Sequence, residues 1–322
     1  MPETQRHPNM KVSIAIPCHN AERWIREAVD SALNQDWKDI EVLVWDDGST
    51  DGSSKILRGY GDRIRLLGGY SVGSNAARNR LLETSTGKWI QFLDADDYLK
   101  PDKISKQLDE SGREHEVLFS PIIEETWKGD SLQTTRISQL DERIDNMTHW
   151  LSWHVCQTGA ALWRRRSIVH IGGWNEAQPC CQDNEIMLRA QQAGLNLKLT
   201  PTARAVYRLW SDDTLCHRNP MMTLLEKTRL IDQALAWLGE TKQLTSAHIA
   251  AAEEVFYATS RTLAKTDRKA ANRYLKERQK RGLGKPHPTA ATPRSYCLAF
   301  KCFGFNGAEQ LASTARLLAN RA

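Results

Sequence analysis

Short apolar runs alternate with amphipathic segments through the first hundred residues of the chain. The runs read VSIAI, IEVLVW and KWIQFL, with a shorter one at 64–67, and their length is typical of strands buried on both faces of a sheet. Between the runs, apolar residues recur every three or four positions, as in an amphipathic helix. We therefore predict strands over 12–16, 40–45, 64–67 and 88–93, separated by helices.

Strands that alternate with helices at this pitch predict an α/β protein with a mostly parallel sheet flanked by helices. Sheets of this kind bind ligands beyond the carboxyl ends of their strands. The loops after Ile16, Trp45 and Leu93 fall at that edge, and each carries polar or acidic residues. We therefore expect the binding site to lie there.

The pattern becomes less regular beyond Pro101. We predict a helix over 184–193, ended by Gly194, and a largely helical chain from Met221 onward. The further predicted strands cover 117–123, 160–163, 197–199 and 205–209.

Composition narrows the class of protein only slightly. Contents of 40% hydrophobic and 26% charged residues are ordinary for a soluble globular protein. The sequence contains no run of 18 apolar residues, and residues 1–9 lack the apolar core of a signal peptide, so we expect a disordered lead and no transmembrane helix. Seven cysteines without paired spacing favour reduced thiols in a cytoplasmic enzyme.

Positive charge is concentrated in one part of the chain. The net charge is +5, and the segment 261–285 contains ten Lys and Arg against two acids. Such a basic stripe suits an anionic membrane surface, which predicts peripheral contact at the inner face of the membrane. A solvated helix face is the alternative, and we expect no nucleic-acid partner.

Two groups of acidic residues follow predicted strands. Asp94, Asp96 and Asp97 crowd three like charges into four positions, which raises their pKa values unless a cation binds them. Carboxylate oxygens in a loop suit Mg²⁺ or Mn²⁺. Asp46 and Asp47 follow the second strand, where they are suited to accept hydrogen bonds from a base or ribose, or to cap a turn.

The motifs IPCHN, VWDDGSTDGS, NAARN and GKWIQFLDADDYLKPDK occur in this order and resemble the family 2 glycosyltransferases with the GT-A fold. The resemblance covers about residues 10–218, which it implies are the glycosyltransferase domain. Residues 219–322 would then form a helical C-terminal region.

The resemblance also implies roles for individual residues. Asp96 would bind Mn²⁺ or Mg²⁺ directly, with Asp94 as its partner at the metal or the ribose. Asp97 and Asp102 fit the usual continuation of the motif. For both acids a structural role and a catalytic role are equally expected. The nucleotide-sugar site would be formed by Pro17, Cys18, His19, Asn20, Glu22, Asp46, Asp47, Asn75, Arg78 and Asp94.

A later segment, GGWNEAQPCCQDNE, resembles the acceptor-side element of the family. Asp183 matches the catalytic base, whereas Gln182 stands where the family has a glutamate. The segment AVYRLWSDDTLCHRN resembles the final family element, although its spacing departs from Tyr-Arg-x-His. The acceptor-side candidates are Trp174, Gln182, Arg208 and His217.

Together the motifs imply an inverting transfer of a sugar from a nucleotide-diphosphate sugar to an acceptor hydroxyl. We expect a UDP-sugar donor and a saccharide or lipid-linked acceptor, in polysaccharide, lipopolysaccharide or glycolipid assembly. Two alternatives stay open. A nucleotidyltransferase would carry a Gly-rich loop after the first strand, and IPCHNAER has no glycine. A non-catalytic nucleotide-sugar-binding module is favoured only by Gln182.

Overall fold

A seven-stranded sheet lies at the centre of the first part of the protein. The computed structural model describes residues 10–111, 114–153, 157–210, 219–289 and 292–319. The strands of this sheet are β1 (Val12–Cys18), β2 (Ile40–Asp46), β3 (Arg65–Gly68), β4 (Trp89–Phe92), β6 (Val117–Phe119), β9 (Leu162–Arg164) and β10 (Leu197–Leu199). Their order is β10-β6-β9-β4-β1-β2-β3. β9 is antiparallel to both neighbours and the other pairs are parallel, which confirms the predicted α/β sheet.

The four predicted N-terminal strands are present, with small differences at their ends. β1 continues to Cys18, two residues past the predicted end at Ile16, because Pro17 still pairs in parallel register with Trp45 of β2. Pairing of β1 with β4 ends earlier, at Ala15. β1, β2 and β3 therefore extend beyond β4 and deliver their following loops to one edge.

A second sheet of four strands lies in the same part of the chain. It contains β5 (Tyr98–Leu99), β7 (Ile122–Lys128), β8 (Ser131–Ile137) and β11 (Ala205–Leu209), in the order β5-β11-β7-β8. The single strand predicted over 117–123 was wrong, because Pro121 ends β6 and the chain starts β7 in the other sheet. β8 was missed because all its residues are exposed, so no apolar pattern marks it.

Helices cover the faces of the seven-stranded sheet. α1 buries the apolar stripe predicted for it, including Ile25, Ala28, Val29 and Ala32. Cys181, immediately before α7, has a left-handed backbone with φ 56°. The helices up to residue 192 are α1 (Ile25–Leu33), α2 (Ser53–Arg58), α3 (Ser74–Thr84), α4 (Lys103–Ser111), α5 (Asn146–Leu151), α6 (Arg165–His170) and α7 (Gln182–Gln192).

The described residues form two compact units. One contains the residues up to 146 and those from 157 to 223, and the other contains 147–153 and the residues from 224 onward. The second unit is helical, as predicted, with a core that includes Tyr257, Leu275 and Phe305. Its helices are α8 (Pro220–Glu240, which begins in the first unit), α9 (Ser246–Leu263), α10 (Arg268–Gln279) and α11 (Arg294–Ala319). No helix in the described ranges is long and apolar enough to cross a membrane.

The close approach of Gly87 to β1 generates a testable prediction about the sheet. The Gly87 N–H donates to Ser13 Oγ at 2.8 Å, and a Cβ added at Gly87 would lie 2.6 Å from the Ser13 nitrogen. Gly87→Ala should therefore displace the start of β4 and lower the free energy of unfolding by about 1–3 kcal/mol, measured by urea denaturation.

The matched control for this substitution is Gly239→Ala. Gly239 lies in α8, and no atom comes within 4 Å of its added Cβ. The control should be neutral or stabilising by up to about 1 kcal/mol, since alanine is the better helix former. Equal effects of the two substitutions would contradict the assigned approach of Gly87 to β1.

Candidate active site

The loop after β1 is bound to the loop after β2 by side-chain hydrogen bonds. Asn20 has a left-handed backbone with φ 49°, and its Oδ1 accepts a hydrogen bond from Thr50 N at 2.8 Å. Glu22 accepts one from Gly52 N at 2.9 Å. His19 Nδ1 donates to the Asp47 carbonyl at 2.9 Å. The structure therefore brings together the predicted nucleotide-binding residues of these two loops, with Pro17 and Cys18 at the end of β1.

The two acids after β2 have different surroundings. Asp47 accepts hydrogen bonds from Val72 N at 2.5 Å and Gly73 N at 3.1 Å, so it holds the loop between β3 and α3. Burial raises the pKa of Asp46, but hydrogen bonds from Ser54 and Ser49 outweigh it and lower the pKa overall. Both side chains are buried, and their oxygens are hydrogen-bond acceptors.

Cys18 does not provide a thiolate at this edge. Its side chain is buried, and burial raises its pKa to about 12. The thiol therefore stays neutral at physiological pH, and Cys18 contributes backbone and packing.

The three acids after β4 are held by different partners. Asp94 Oδ1 pairs with Arg78 Nη2 at 2.7 Å, and Asp96 Oδ2 accepts a hydrogen bond from the indole of Trp210 at 2.9 Å. Asp97 accepts hydrogen bonds from Gln157 Nε2 at 2.6 Å and from the backbone N–H of Arg208 at 2.8 Å. Burial, together with the neighbouring acids, raises the pKa of Asp96 and of Asp97.

Asp97 and Asp102 have structural contacts. The hydrogen bonds of Asp97 connect the end of β4 to β11, and Asp102 forms an ion pair with Arg204 at 2.8 Å. These contacts account for both acids without a ligand.

The side chain of Arg208 lies in an aromatic enclosure. It is 1% exposed, pairs with Glu27 at 2.6 Å, and lies over the rings of Trp24 and Tyr98 at 4.4 and 4.5 Å. Its Nη1 donates to the Asp96 carbonyl at 3.1 Å. These contacts place Arg208 behind the acidic loop, supporting its backbone.

Arg78 on α3 connects the acidic loop to α7. While Nη2 pairs with Asp94, Nη1 donates to Gln182 Oε1 and to Asn75 Oδ1, both at 3.2 Å. The guanidinium carbon lies 4.7 Å from the ring centroid of Trp174. Arg78 is buried, so it is a fixed cation at the point where the two predicted halves of the site meet.

Asp183 lies one residue into α7, beside a small cavity. Its Oδ1 accepts a hydrogen bond from Thr158 Oγ1 at 2.8 Å. Although part of the residue remains accessible, burial of the carboxylate raises its pKa from 3.8 to about 6, with Arg78 acting in the opposite direction and Asp94 adding to the rise. The cavity is lined by Gln157, Thr158, Ala161, Trp163, Trp174, Asp183, Ile186 and Met187.

The acidic loop fits a divalent cation in its donor chemistry. Asp94 and Asp96 supply hard oxygen donors. Burial and the neighbouring Asp94 raise the pKa of Asp96, and a bound cation would offset both effects. Within the described part of the chain, no group of three or more His, Cys, Asp or Glu residues forms a metal cage. A cation would therefore also need substrate phosphates and water. The candidate His217 lies outside the described residues.

Several residues around the site were not predicted from the sequence. Thr158 donates a hydrogen bond to Asp183. The turn that contains Thr158 is held by Gln91, which donates to the Gly159 carbonyl at 3.0 Å. Lys103 donates to Gln91 from a fully buried position, and burial lowers its pKa well below 10.5. No motif marks these residues. Trp210 could have been noticed, since the segment 207–210 resembles Tyr-Arg-x-His with tryptophan at the last position.

A mostly parallel sheet whose loops are joined by hydrogen bonds at its carboxyl edge, followed by an acidic loop after β4, is typical of a transferase domain of the GT-A type. Residues 13–172 match the family model described as glycosyl transferase family 2, so this part of the chain belongs to that family.

A curated relative supports this assignment. An uncharacterized glycosyltransferase of Haemophilus influenzae is 38% identical over 111 residues, which are 33% of this chain and 44% of the relative. Two further curated relatives, uncharacterized glycosyltransferases of Escherichia coli and Rickettsia prowazekii, are matched over 27% and 30% of their length. The chain thus matches less than half the length of these proteins.

Solved structures share the fold at low sequence identity. Residues 1–349 of S. aureus TarS in complex with UDP-GlcNAc align with a TM-score of 0.63 and 16% identity, covering 96% of this chain and 92% of that one. The mannosyltransferase PcManGT of Pyrobaculum calidifontis, in complex with GDP-Man and Mn²⁺, aligns with a TM-score of 0.55 and 16% identity, covering 92% and 87%. The likeness confirms the predicted GT-A fold.

The pKa of Asp183 generates a prediction about stability. Because its folded pKa of about 6 exceeds the unfolded value of 3.8, its contribution to stability is complete below about pH 4 and is lost as the pH rises to about 6. Asp183→Asn removes this loss. The variant should gain about 1–3 kcal/mol relative to the wild type between pH 4 and pH 7, measured by denaturant unfolding at both pH values. A pH-independent difference would contradict the raised pKa.

Proposed function

We propose that the chain is an inverting glycosyltransferase that transfers a sugar from a nucleotide-diphosphate sugar to an acceptor hydroxyl. The observation that carries the proposal is the pair of hydrogen bonds from one buried guanidinium, Arg78, to Asp94 and to Gln182. Asp94 belongs to the acidic loop and Gln182 precedes Asp183. The diphosphate side and the base side of a displacement reaction therefore meet at a single fixed cation.

The residues support a direct displacement. The Asp183 carboxylate takes the proton of the acceptor hydroxyl as its oxygen forms a bond to the anomeric carbon of the donor. The bond from that carbon to the diphosphate oxygen breaks, and the nucleoside diphosphate leaves with the electron pair. A Mn²⁺ or Mg²⁺ ion, when bound at Asp96 and Asp94, would neutralise charge on the leaving diphosphate. Arg78 supplies a second positive charge from a fixed position.

We propose that the loops after β1 and β2 bind the nucleoside. The His19 ring donates to the Asp47 carbonyl, and Asn20 and Glu22 accept hydrogen bonds from the loop after β2. Asp46 and Asn75 complete this edge. A UDP-sugar is the donor we propose, supported by the fold shared with TarS, which was solved with UDP-GlcNAc.

We propose that the acceptor reaches Asp183 at the start of α7, where Trp174 and Gln182 lie. The cavity beside Asp183 has room for about one water molecule, and its Trp163 and Trp174 are buried, so it does not itself hold a sugar ring. His217 stays a prediction for this side, as does Arg208, whose side chain is held by Glu27 and Trp24. A saccharide or lipid-linked acceptor stays a prediction as well.

The second unit presents a basic surface that suits an anionic membrane. Arg268, Lys269, Arg273 and Lys276 are exposed and lie within about 140° of the circumference of α10. Ala271 and Leu275 are buried and face the core from the adjoining part of the circumference. Other cations of the stripe are neutralised within the unit, since Arg261 pairs with Glu309 at 2.5 Å and Arg281 with Asp232 at 2.8 Å. We propose peripheral membrane contact through the α10 face.

The function as a whole is tested by thermal shift with a panel of nucleotide sugars, each with and without Mn²⁺. One donor at about one hundred times its Kd should stabilise the folded state by about 2.7 kcal/mol, and omission of Mn²⁺ should reduce the shift. A panel with no stabilising nucleotide sugar would reject the proposal. If nucleoside triphosphates stabilise the protein as much as nucleotide sugars do, the result would favour a nucleotidyltransferase.

Two substitutions separate the proposed roles of the acids. Asp183→Asn should reduce transfer at least about a hundredfold, as expected for loss of a general base, while the Kd for UDP stays within about twofold. Asp96→Asn should instead weaken Mn²⁺-dependent UDP binding. Product formation and UDP binding by calorimetry provide the measurements. Equal loss of UDP binding in both variants would contradict the assignment of Asp183 as the base.

The pH profile supplies a further check of the same base. In the wild type, kcat/KM should fall as the pH drops below about 6, because a protonated Asp183 cannot accept the proton of the acceptor. A profile that is flat down to pH 5 would exclude this role.

A further inference from the structure

The carboxylate of Asp96 is held by an indole. Trp210 Nε1 donates to Asp96 Oδ2 at 2.9 Å. In the described structure Trp210 is the side chain that donates to this carboxylate, which also interacts with the Asp96 backbone N–H. An indole N–H is a donor only and cannot coordinate a cation. Trp210 can therefore influence a cation only through Asp96.

Packing restricts the position of the Trp210 ring. It meets Trp24 edge-on, with ring centroids 6.0 Å apart at an angle of 62°. Arg23 lies 5.7 Å from its centroid and is itself anchored to the β7–β8 turn through the Gly129 carbonyl at 2.5 Å and Asp130 at 2.9 Å. The indole N–H is thus directed at Asp96 by residues 23–24, which are themselves held by the β7–β8 turn.

The backbone next to Trp210 is fixed to the same loop. Arg208, two residues earlier on β11, donates its N–H to Asp97 and its Nη1 to the Asp96 carbonyl. The main chain of Asp96 is therefore held by Arg208 and its side chain by Trp210, two residues of the same segment of the chain. A carboxylate restrained in this way loses less conformational entropy when it binds a ligand.

We propose that Trp210 is a positioning residue that fixes Asp96 Oδ2 and thereby directs Oδ1 to the divalent cation of the donor diphosphate. This inference rests on the proposed function, because Asp96 must be the metal ligand. In the family pattern the position after Tyr-Arg-x is a histidine, whose neutral imidazole can accept or coordinate. The tryptophan at this position in our chain makes the same site a donor to the carboxylate.

The test compares Trp210→Phe with Trp89→Phe. Both substitutions keep an aromatic ring and remove an indole N–H, but the buried Trp89 Nε1 donates to no described acceptor, and its ring lies at the start of β4 beside Arg164. Free Mn²⁺ is measured by electron paramagnetic resonance during titration of the full chain in the presence of UDP, without turnover. Trp210→Phe should weaken Mn²⁺ binding about tenfold or more, as for other partners of metal ligands. Trp89→Phe should stay within about twofold of the wild type.

Trp210→Gln separates the N–H from the ring. The amide nitrogen of glutamine lies the same number of bonds from Cα as the indole nitrogen, so this variant keeps a donor and loses the aromatic packing. It should bind Mn²⁺ more tightly than Trp210→Phe. The reverse order would show that ring packing matters and would overturn the inference, as would a Trp210→Phe affinity equal to that of the wild type.

The outcomes also separate this inference from the proposed function. Wild-type protein that binds Mn²⁺ with UDP, together with an unchanged Trp210→Phe variant, rejects the role of Trp210 alone. Wild-type protein that binds UDP but no Mn²⁺ rejects the metal part of the proposed function and this inference with it. A Trp210→Phe variant that fails to fold leaves the comparison of Trp210→Gln with Trp89→Phe, in which near-equal affinities support the donor role.

Discussion

The buried guanidinium of Arg78 is the interaction on which the site depends. It is the one charged contact that reaches both the acidic loop after β4 and the start of α7 in the described structure. An uncompensated buried cation is costly, and the ion pair with Asp94 compensates it. Gln182 contributes an oxygen without a charge. A glutamate there would share the cation between two carboxylates, whereas the amide leaves the charge of Arg78 directed at Asp94.

The crowded acids of the loop after β4 depend on the aromatic rings that surround them. Asp94, Asp96 and Asp97 repel one another, and each is held by a different donor: a guanidinium, an indole and an amide. Tryptophans supply rigid packing behind these donors without adding charge. The chain contains 11 tryptophans. This content is partly explained by the need to position acids in a poorly solvated loop.

Much of the fold could be predicted from the sequence because the buried parallel strands read as continuous apolar runs. The candidate acids could be predicted because they follow those strands. The second sheet could not: β8 is exposed along its whole length, and β6 and β7 share one apolar run divided only by Pro121. Thr158, Gln91 and Lys103 were missed because their roles depend on contacts between distant segments, which no local spacing records.

The left-handed backbone at Cys181 has a consequence for the direction of α7. A non-glycine residue in this conformation costs on the order of 1 kcal/mol or more and persists only where its surroundings impose it. Here the strained residue directly precedes α7, and Asp183, the second residue of that helix, lies beside Thr158. The conformation that sets the direction of α7, and with it the position of the Asp183 side chain, therefore lowers the stability of the fold.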